Sequence, residues 1–250
     1  MKKIIYSVVC ASAVASSAMA DFARVEAGAG AWLQTPKGGL TYRDGGANGA
    51  YVSDEKESAD AYAWILIKHP VPMIPNLRVE YTNIKDEGVA SGRFENFNLG
   101  VASTAFSYDM KQYDVIPYYN ILDNTFWATL DLGLDIKFVR TSYTAAPNGV
   151  FGGYSGNMDF VLPLLYARTR AQIPTTDIGV EADIKYLSYG KSTMYDARAK
   201  LDYTFSVSPI IQPAIEVGYR VQKMDVDESQ LDEKLDIKFA GFYAGAMLRF

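Results

Sequence analysis

The sequence predicts an all-β protein, a transmembrane antiparallel β-barrel with ten strands and up-and-down topology. Three observations predict this fold. Apolar and polar residues alternate with a period of two along segments of about ten residues, which is typical of strands with one face on lipid and the other on a lumen. Aromatic residues are abundant, with 18 Tyr and 12 Phe. Beyond the N-terminal segment, no stretch approaches the ~18 consecutive apolar residues of a membrane-spanning helix.

The N-terminal segment has the pattern of a cleaved signal peptide. Two lysines precede an apolar run, and an Ala-Met-Ala sequence ending at Ala20 is the small-residue pattern that signal peptidase reads. We therefore expect residues 1–20 to be removed and residues 21–250 to form a single barrel domain. The only cysteine, Cys10, lies in the removed segment, so the mature chain is expected to have no disulfide and no cysteine-based metal site.

The charge of the mature chain excludes one class of partner. Without the signal segment the chain has 22 basic and 29 acidic residues, a net charge of −7. Binding to nucleic acid would call for a basic surface instead. An exported chain of alternating strands is typical of the bacterial outer membrane, where we expect the protein to be integral. The expected partners are outer-membrane lipid and lipopolysaccharide.

The ten predicted strands follow the alternation along the chain. They cover residues 22–33, 58–69, 76–85, 108–121, 126–138, 157–172, 178–186, 195–207, 211–222 and 234–250. The segment 195–207 shows the pattern most clearly, since its odd positions are all apolar or Tyr. Its even positions up to 204 are Asp196, Arg198, Lys200, Asp202 and Thr204. An even number of strands places both chain ends on the periplasmic side.

The connections between these strands are expected to differ at the two ends of the barrel. Short connections are predicted at residues 70–75, 122–125, 173–176 and 208–209, and long ones, rich in Gly, Asn and Ser, at 34–57, 86–107 and 144–156. Short periplasmic turns and long outer loops are the usual asymmetry. Residues 94–106 also alternate, but an eleventh strand would break the parity. The sequence therefore predicts an ordered part of a long loop there.

The inward-facing positions of the predicted strands carry equal numbers of opposite charges. The eleven cations are Arg24, Lys68, Arg78, Lys137, Arg168, Arg170, Lys185, Arg198, Lys200, Arg220 and Arg249. The eleven anions are Glu26, Asp60, Glu80, Asp114, Asp131, Asp135, Glu181, Asp183, Asp196, Asp202 and Glu216. Side chains fill a barrel of eight strands, and ten strands lie close to that limit. These charges are expected to pair, because an unpaired buried charge costs several kcal/mol.

Three functions remain open at this stage. The favoured hypothesis is a barrel without enzymatic activity, with a narrow charge-paired lumen and a structural or surface-interaction role. The alternative is a narrow channel for small solutes, which a lumen of one charge sign would have favoured. The weakest alternative is a barrel hydrolase. Such enzymes use a histidine near the outer rim as general base, whereas the only histidine, His69, directly precedes Pro70 at a predicted periplasmic turn.

No cofactor or metal site is expected. Residues 225–236 have the acidic spacing of a calcium loop, but Gln230 stands where that loop requires Gly. A solvated acidic hairpin tip is the favoured interpretation of this segment. Gly28-Ala29-Gly30 lies within a predicted strand, where small residues relieve crowding in a narrow barrel, so it is not interpreted as a nucleotide-binding loop.

The C-terminus ends on a lipid-facing row. Counting back from Phe250 by twos gives Leu248, Ala246, Ala244, Phe242 and Ala240. A terminal Phe after alternating apolar residues resembles the signal by which the barrel assembly machinery engages its substrates. Phe250 is therefore predicted to act as an assembly signal during biogenesis.

Several motifs resemble those of one family. These are Pro75-Asn76-Leu77-Arg78-Val79-Glu80-Tyr81-Thr82-Asn83, Tyr118-Tyr119-Asn120-Ile121-Leu122-Asp123-Asn124, Leu130-Asp131-Leu132-Gly133-Leu134, Leu187-Ser188-Tyr189-Gly190 and Val217-Gly218-Tyr219-Arg220. They are similar to a family of small proteobacterial outer-membrane β-barrel proteins without an assigned activity. The resemblance covers most of the mature chain and implies fold and location. It supplies no catalytic residues.

Overall fold

A computed structural model shows a closed antiparallel β-barrel. It describes residues 23–44, 47–71, 73–93, 98–125, 128–147, 152–208, 210–226 and 233–250; the predicted signal peptide lies outside these ranges. The strands are β1 (Arg24–Asp44), β2 (Ala47–Ser53), β3 (Ser58–Lys68), β4 (Asn76–Arg93), β5 (Asn98–Thr125), β6 (Ala128–Ala145), β7 (Tyr154–Gln172), β8 (Ile178–Tyr189), β9 (Ser192–Thr204), β10 (Gln212–Val226) and β11 (Glu233–Arg249). Among the described residues, no helix is long and apolar enough to cross a membrane.

The strands surround the lumen at ten positions. From β3 to β11 each strand pairs with the next in the chain, and β1 pairs with both β11 and β3 to close the ring. The short strand β2 lies above β3, between β1 and β4, so these two strands share one position. The predicted fold class, ten strands and up-and-down order are therefore confirmed.

Two predicted long loops are strands instead, and β5 also continues through residues 122–125, where a short connection was predicted. Residues 34–44 continue β1, and residues 47–53 form β2. Residues 86–93 continue β4, and residues 98–107 begin β5, so the prediction of loops at 34–57 and 86–107 was wrong. In these segments the outward row becomes polar, as at Lys37 and Glu87. The cue for a lipid-facing strand is therefore lost although the backbone pairing continues.

The lipid-facing surface is a band of even height. Outward residues are apolar or aromatic over 113–121, 130–138, 178–186, 195–203 and 242–250, each about nine residues long. A tilted strand needs ~9–11 residues to cross a bilayer. Large apolar side chains in this band are exposed to the surroundings, for example Leu134 at 54% and Phe242 at 65%. Such a continuous apolar surface would be unstable in water and suits hydrocarbon.

Aromatic rings mark both edges of the band. The row at one edge, the hairpin-end girdle, is made of Tyr81, Tyr113, Phe138, Tyr186, Tyr195, Tyr219 and Phe242. Its rings contact each other across strands, with centroids 5.2 Å apart for Tyr81–Tyr113 and 5.0 Å for Tyr219–Phe242. Beyond this girdle lie the long hairpins, at what we term the hairpin end. The other edge, the terminal end, holds the start of β1, the end of β11 and the adjoining ends of β3 and β4, β5 and β6, β7 and β8, and β9 and β10.

Closure at the terminal end includes the last residue. The Phe250 amide donates to the Val25 carbonyl at 2.9 Å, and the Val25 amide donates to the Phe250 carbonyl at 3.3 Å. The Phe250 residue is 52% exposed on the lipid-facing side. Phe250 therefore helps to close the seam between β1 and β11, and it also places an aromatic ring at the terminal end of the lipid-facing band.

Glycines in the barrel wall make room for rings inside it. A Cβ atom built on Gly28 would lie 2.7 Å from the Trp64 indole, and one on Gly245 would lie 2.4 Å from the Tyr62 hydroxyl. Real Cβ contacts are essentially never this short. The lumen beside β1 and β11 is therefore packed to the backbone.

We predict that Gly28→Leu destabilises the barrel by about 1–3 kcal/mol, the usual cost of overpacking. The matched control is Ala29→Leu, because Ala29 is the next residue and is exposed on the lipid side. The free energy of unfolding in lipid vesicles, measured by urea titration, checks this. Equal losses for the two variants would contradict a packed lumen at Gly28.

Candidate functional site: the charged lumen

The predicted charges lie inside the barrel. The structure buries Glu26, Asp60, Arg78, Glu80, Asp114, Asp131, Asp135, Lys137, Arg168, Arg170, Glu181, Asp183, Lys185, Asp196, Lys200, Asp202, Glu216, Arg220 and Arg249. The Arg198 side chain is 9% exposed. Arg24 and Lys68 are half-buried near the terminal end. The strand alternation puts these groups on the inner face, and the narrow ring brings opposite walls within ion-pair distance.

Glu80 is the hub of the network. Its Oε1 lies 2.5 Å from Arg78 Nε and 2.6 Å from Arg198 Nη2, and its Oε2 lies 2.6 Å from Lys185 Nζ. Glu80 is on β4, whereas Lys185 and Arg198 are on β8 and β9 across the lumen. One carboxylate therefore ties opposite walls of the barrel together.

A second group of pairs lies toward the hairpin end. Lys137 Nζ is 2.6 Å from Asp114 Oδ1, and Arg220 Nη2 is 2.7 Å from Asp196 Oδ2. Lys185 also contacts Asp114, so this group shares a cation with the Glu80 hub. Gln222 of β10 donates to Gln112 of β5 at 3.0 Å, which adds another bond across the lumen.

A third group lies toward the terminal end. Arg168 donates to Asp131 and to Glu181, both at 2.6 Å. Lys200 Nζ lies 3.3 Å from Glu181 and 2.9 Å from Glu216. Each of these basic side chains therefore joins two carboxylates.

The barrel seam has its own pairs. Arg249 of β11 lies 3.0 Å from Glu26 of β1 and 2.8 Å from Asp202 of β9. Arg170 also contacts Asp202. The last strand is therefore held to the first by ion pairs as well as by backbone hydrogen bonds.

Aromatic side chains complete the lumen, and the charge count did not anticipate them. The Trp64 indole and the Tyr62 hydroxyl both donate to Glu216 Oε1, at 3.0 and 2.9 Å. Arg78 lies over the Trp64 ring at 4.9 Å from the centroid, and Lys200 lies at 4.7 Å. The sequence does contain a signal for these two rings, because the period of two puts residues 62 and 64 on the inward face of β3.

Little free space remains among these groups. The cavity between the aromatic residues and the charges, lined by Trp64, Arg78, Arg198, Glu216 and Tyr243 among others, has a volume of about 10 Å³. That is near the minimum for a single water molecule. This part of the lumen has no room for a solute.

Asp135 is the least satisfied carboxylate of the network. Neither of its oxygens has a hydrogen-bond partner among the described residues, and the nearest cation, Lys185 Nζ, is 4.0 Å away. Asp114 and Glu80 hold the same lysine at closer range. Asp135 therefore shares the charge of Lys185 without binding it directly.

A separate polar cluster lies inside the hairpin end, beyond the lipid band. Tyr51 and Ser53 donate to the two oxygens of Asp86, at 2.6 and 3.1 Å. Burial raises the pKa of the Asp86 carboxyl above its usual range. Sequence reasoning missed this cluster because residues 86–107 were interpreted as a loop.

His69 lies at the terminal end, in the β3–β4 connection. Its Nδ1 accepts a hydrogen bond from the Val71 amide at 3.1 Å, and its Nε2 lies 3.1 Å from the Pro75 carbonyl oxygen. In this arrangement Nδ1 is the acceptor and Nε2 faces the carbonyl as the donor. Both ring nitrogens bind backbone, so the side chain caps the turn.

The acidic segment 225–236 is only partly described, since residues 227–232 lie outside the described ranges. Asp225 and Asp236 face each other across β10 and β11, and Lys223 Nζ lies 3.2 and 3.4 Å from them. Within the described part of the chain, no group of three or more His, Cys, Asp or Glu side chains could hold a metal ion.

Comparison with known proteins supports the fold. The chain is similar to the outer membrane protease OmpT from Escherichia coli, with 11% identity, 91% of this chain and 96% of that chain covered, and a TM-score of 0.55. It also aligns with the translocator domain of the autotransporter NalP from Neisseria meningitidis, with 13% identity, 100% and 98% coverage, and a TM-score of 0.43. No family model matches, and no curated protein matches. The chain therefore has the fold of outer-membrane β-barrels, and its resemblance to one small family stays a prediction.

We predict that Arg168→Met destabilises the barrel by about 3–5 kcal/mol, because Asp131 and Glu181 lose a buried partner. Lys85→Met is the control, since it removes a cation that lies 3.8 Å from Asp109 on the outer surface and should change stability little. Unfolding in vesicles measures both. A loss at Arg168 no larger than that at Lys85 would mean that water compensates the lumen charges.

Proposed function

We propose that the protein is an integral component of a bacterial outer membrane, without enzymatic activity, whose lumen is closed by paired charges. It serves a structural or surface-interaction role through its hairpin end. The single observation that carries this proposal is the network around Glu80, where Lys185 and Arg198 from the far wall meet one carboxylate. A barrel crossed by direct ion pairs has no continuous aqueous path at that level.

The lipid band supports the membrane location. Its height suits one bilayer, and aromatic girdles of this kind mark the two interfaces of outer-membrane barrels. Barrels of this class have short periplasmic connections and longer structures outside. The projecting hairpins therefore face the exterior, and the chain ends and His69 face the periplasm.

The absence of catalysis rests on the placement of the one histidine. His69 is committed to backbone contacts at the terminal end, whereas chemistry on external substrates would take place at the hairpin end. OmpT is an outer membrane protease, and a likeness at 11% identity supports a shared fold without carrying that activity to this chain. A solute channel, the other alternative, would need more space than the cavity of about 10 Å³ beside Trp64.

We expect refolded protein in planar bilayers to give no steady conductance, because the lumen is filled. The double variant Tyr62→Ala with Trp64→Ala removes two rings from the lumen and should give measurable openings. The control, Tyr81→Ala with Tyr113→Ala, removes two rings from the lipid face and should stay closed. Stable openings of porin size in the unmodified protein would refute the closed lumen.

The assembly machinery is the proposed partner during biogenesis, and Phe250 is its proposed contact. Deleting Phe250 removes the last backbone bonds to Val25 and the terminal aromatic side chain. We predict less heat-modifiable barrel in the outer membrane, with unchanged removal of residues 1–20. Leu248→Ala, which trims the same lipid-facing row, is the control and should assemble normally. A soluble, folded periplasmic product of the deletion would contradict the membrane assignment.

A further inference from the structure

Three lysines lie side by side on the outer surface of the barrel. The strand register pairs Lys37 of β1 with Lys238 of β11, and Lys238 with Lys223 of β10. All three side chains point outward, away from the lumen. Neighbouring strands are ~4.8 Å apart, so the three ammonium groups occupy one short row, which we call the lysine row.

The lysine row is incompletely neutralised. Lys223 is paired with Asp225 and Asp236. Lys37 and Lys238 are exposed, and no carboxylate of the described residues forms an ion pair with either. Like charges directly opposite each other in a sheet are destabilising. Two adjacent lysines that have no ion-pair partner among the described residues can therefore hold an anion supplied from outside the chain.

The height of the row identifies the source of that anion. Two steps along the strands from Lys223 and Lys238 are Val221 and Ala240, and two further steps reach Tyr219 and Phe242 of the hairpin-end girdle. Aromatic girdles lie at the head-group level of a membrane. The lysine row lies just outside that level, where the phosphates of outer-leaflet lipid would be.

The surface at the row is concave. Lys37, Lys223, Lys238 and Tyr195 line an open groove of about 760 Å³ together with the β1–β2 segments and Asp236, the acid that Lys223 already pairs. Gly38 has a φ of 100°, which favours glycine, and it lies where β1 passes the groove. Gly39 adds no side chain to fill it. A head group can therefore lie against the row.

The opposite wall also brings cations together, since Lys111 of β5 is directly opposite Arg140 of β6 in the register. Acidic residues of the chain lie among them on the same outer face: Lys85 lies 3.8 Å from Asp109, and Arg140 is directly opposite Asp159. The lysine row differs in bordering an open groove.

We propose that the lysine row binds the phosphate groups of lipid A in lipopolysaccharide. This inference rests on the proposed outer-membrane location and deepens it, because it names the lipid and the residues that hold it. Lys37 and Lys238 donate to phosphate oxygens. Lys223 is held in place by Asp225 and Asp236 and adds positive charge to the same outer face.

The test measures binding of lipid A to refolded protein in phosphatidylcholine nanodiscs. Three proteins are compared: the unmodified chain, Lys37→Gln with Lys238→Gln, and the control Lys56→Gln with Lys85→Gln. The control removes the same charge from lysines that have acidic partners, Asp54 and Asp109. Since a lysine near an anionic surface contributes about a fivefold factor in affinity, the first variant should bind about 10- to 30-fold more weakly. The control should bind as the unmodified chain does.

Two results would overturn the proposal. One is equal lipid A affinity for both double variants. The other is equally strong binding of the unmodified chain to phosphatidylglycerol nanodiscs, which would show a general attraction to anionic lipid. Heat-modifiable migration of each protein is recorded in parallel. A protein that never enters nanodiscs refutes the membrane location itself, so the two failures are distinguishable.

Discussion

The ion pairs between Glu80 and the far wall are the constraint on which the rest of the barrel depends. Lys185 and Arg198 reach Glu80 from β8 and β9, each at 2.6 Å, so the ring must be narrow enough for direct contact. A narrow ring leaves no space for bulky residues at every wall position. The glycines at 28 and 245 meet this requirement beside the rings of Trp64 and Tyr62.

Pairing in such a lumen acts on specificity more than on stability. Taking two charges out of water costs about as much as their attraction returns, so apolar replacements of buried pairs are often neutral or stabilising. The loss of a single partner is costly, however. A strand that slipped by one residue would turn Asp196 and Arg198 toward lipid. The charges therefore select one register among many that the backbone hydrogen bonds would allow.

The sequence predicted which residues face the lumen but not which of them meet. Asp196, Arg198 and Lys200 could be assigned inward because the period of two is fixed by strand geometry. The contact between Glu80 and Lys185 depends on the stagger of the intervening strands. Each pair of neighbouring strands contributes its own register offset. The total offset between β4 and β8 is not encoded by any local sequence pattern.

The projecting hairpins were missed for a different physical reason. Alternation of apolar and polar residues reports burial against lipid, and it disappears where both faces of a strand meet polar surroundings. Residues 86–93 continue β4 beyond the girdle with Asp86 inside and Glu87 on the other face. Backbone pairing with β5 maintains the strand there. The same shift from apolar to polar outward residues produced the lysine row, which lies just beyond the lipid band.

A double-mutant cycle between Glu80 and Lys185 tests the closed, cross-linked lumen most directly. The free energy of unfolding in vesicles is measured for the unmodified protein, Glu80→Gln, Lys185→Met and the combination. Direct contact across the lumen predicts a favourable coupling of about 0.5–3 kcal/mol. Additivity within about 0.3–0.5 kcal/mol would mean that water separates the two walls, and would contradict the account.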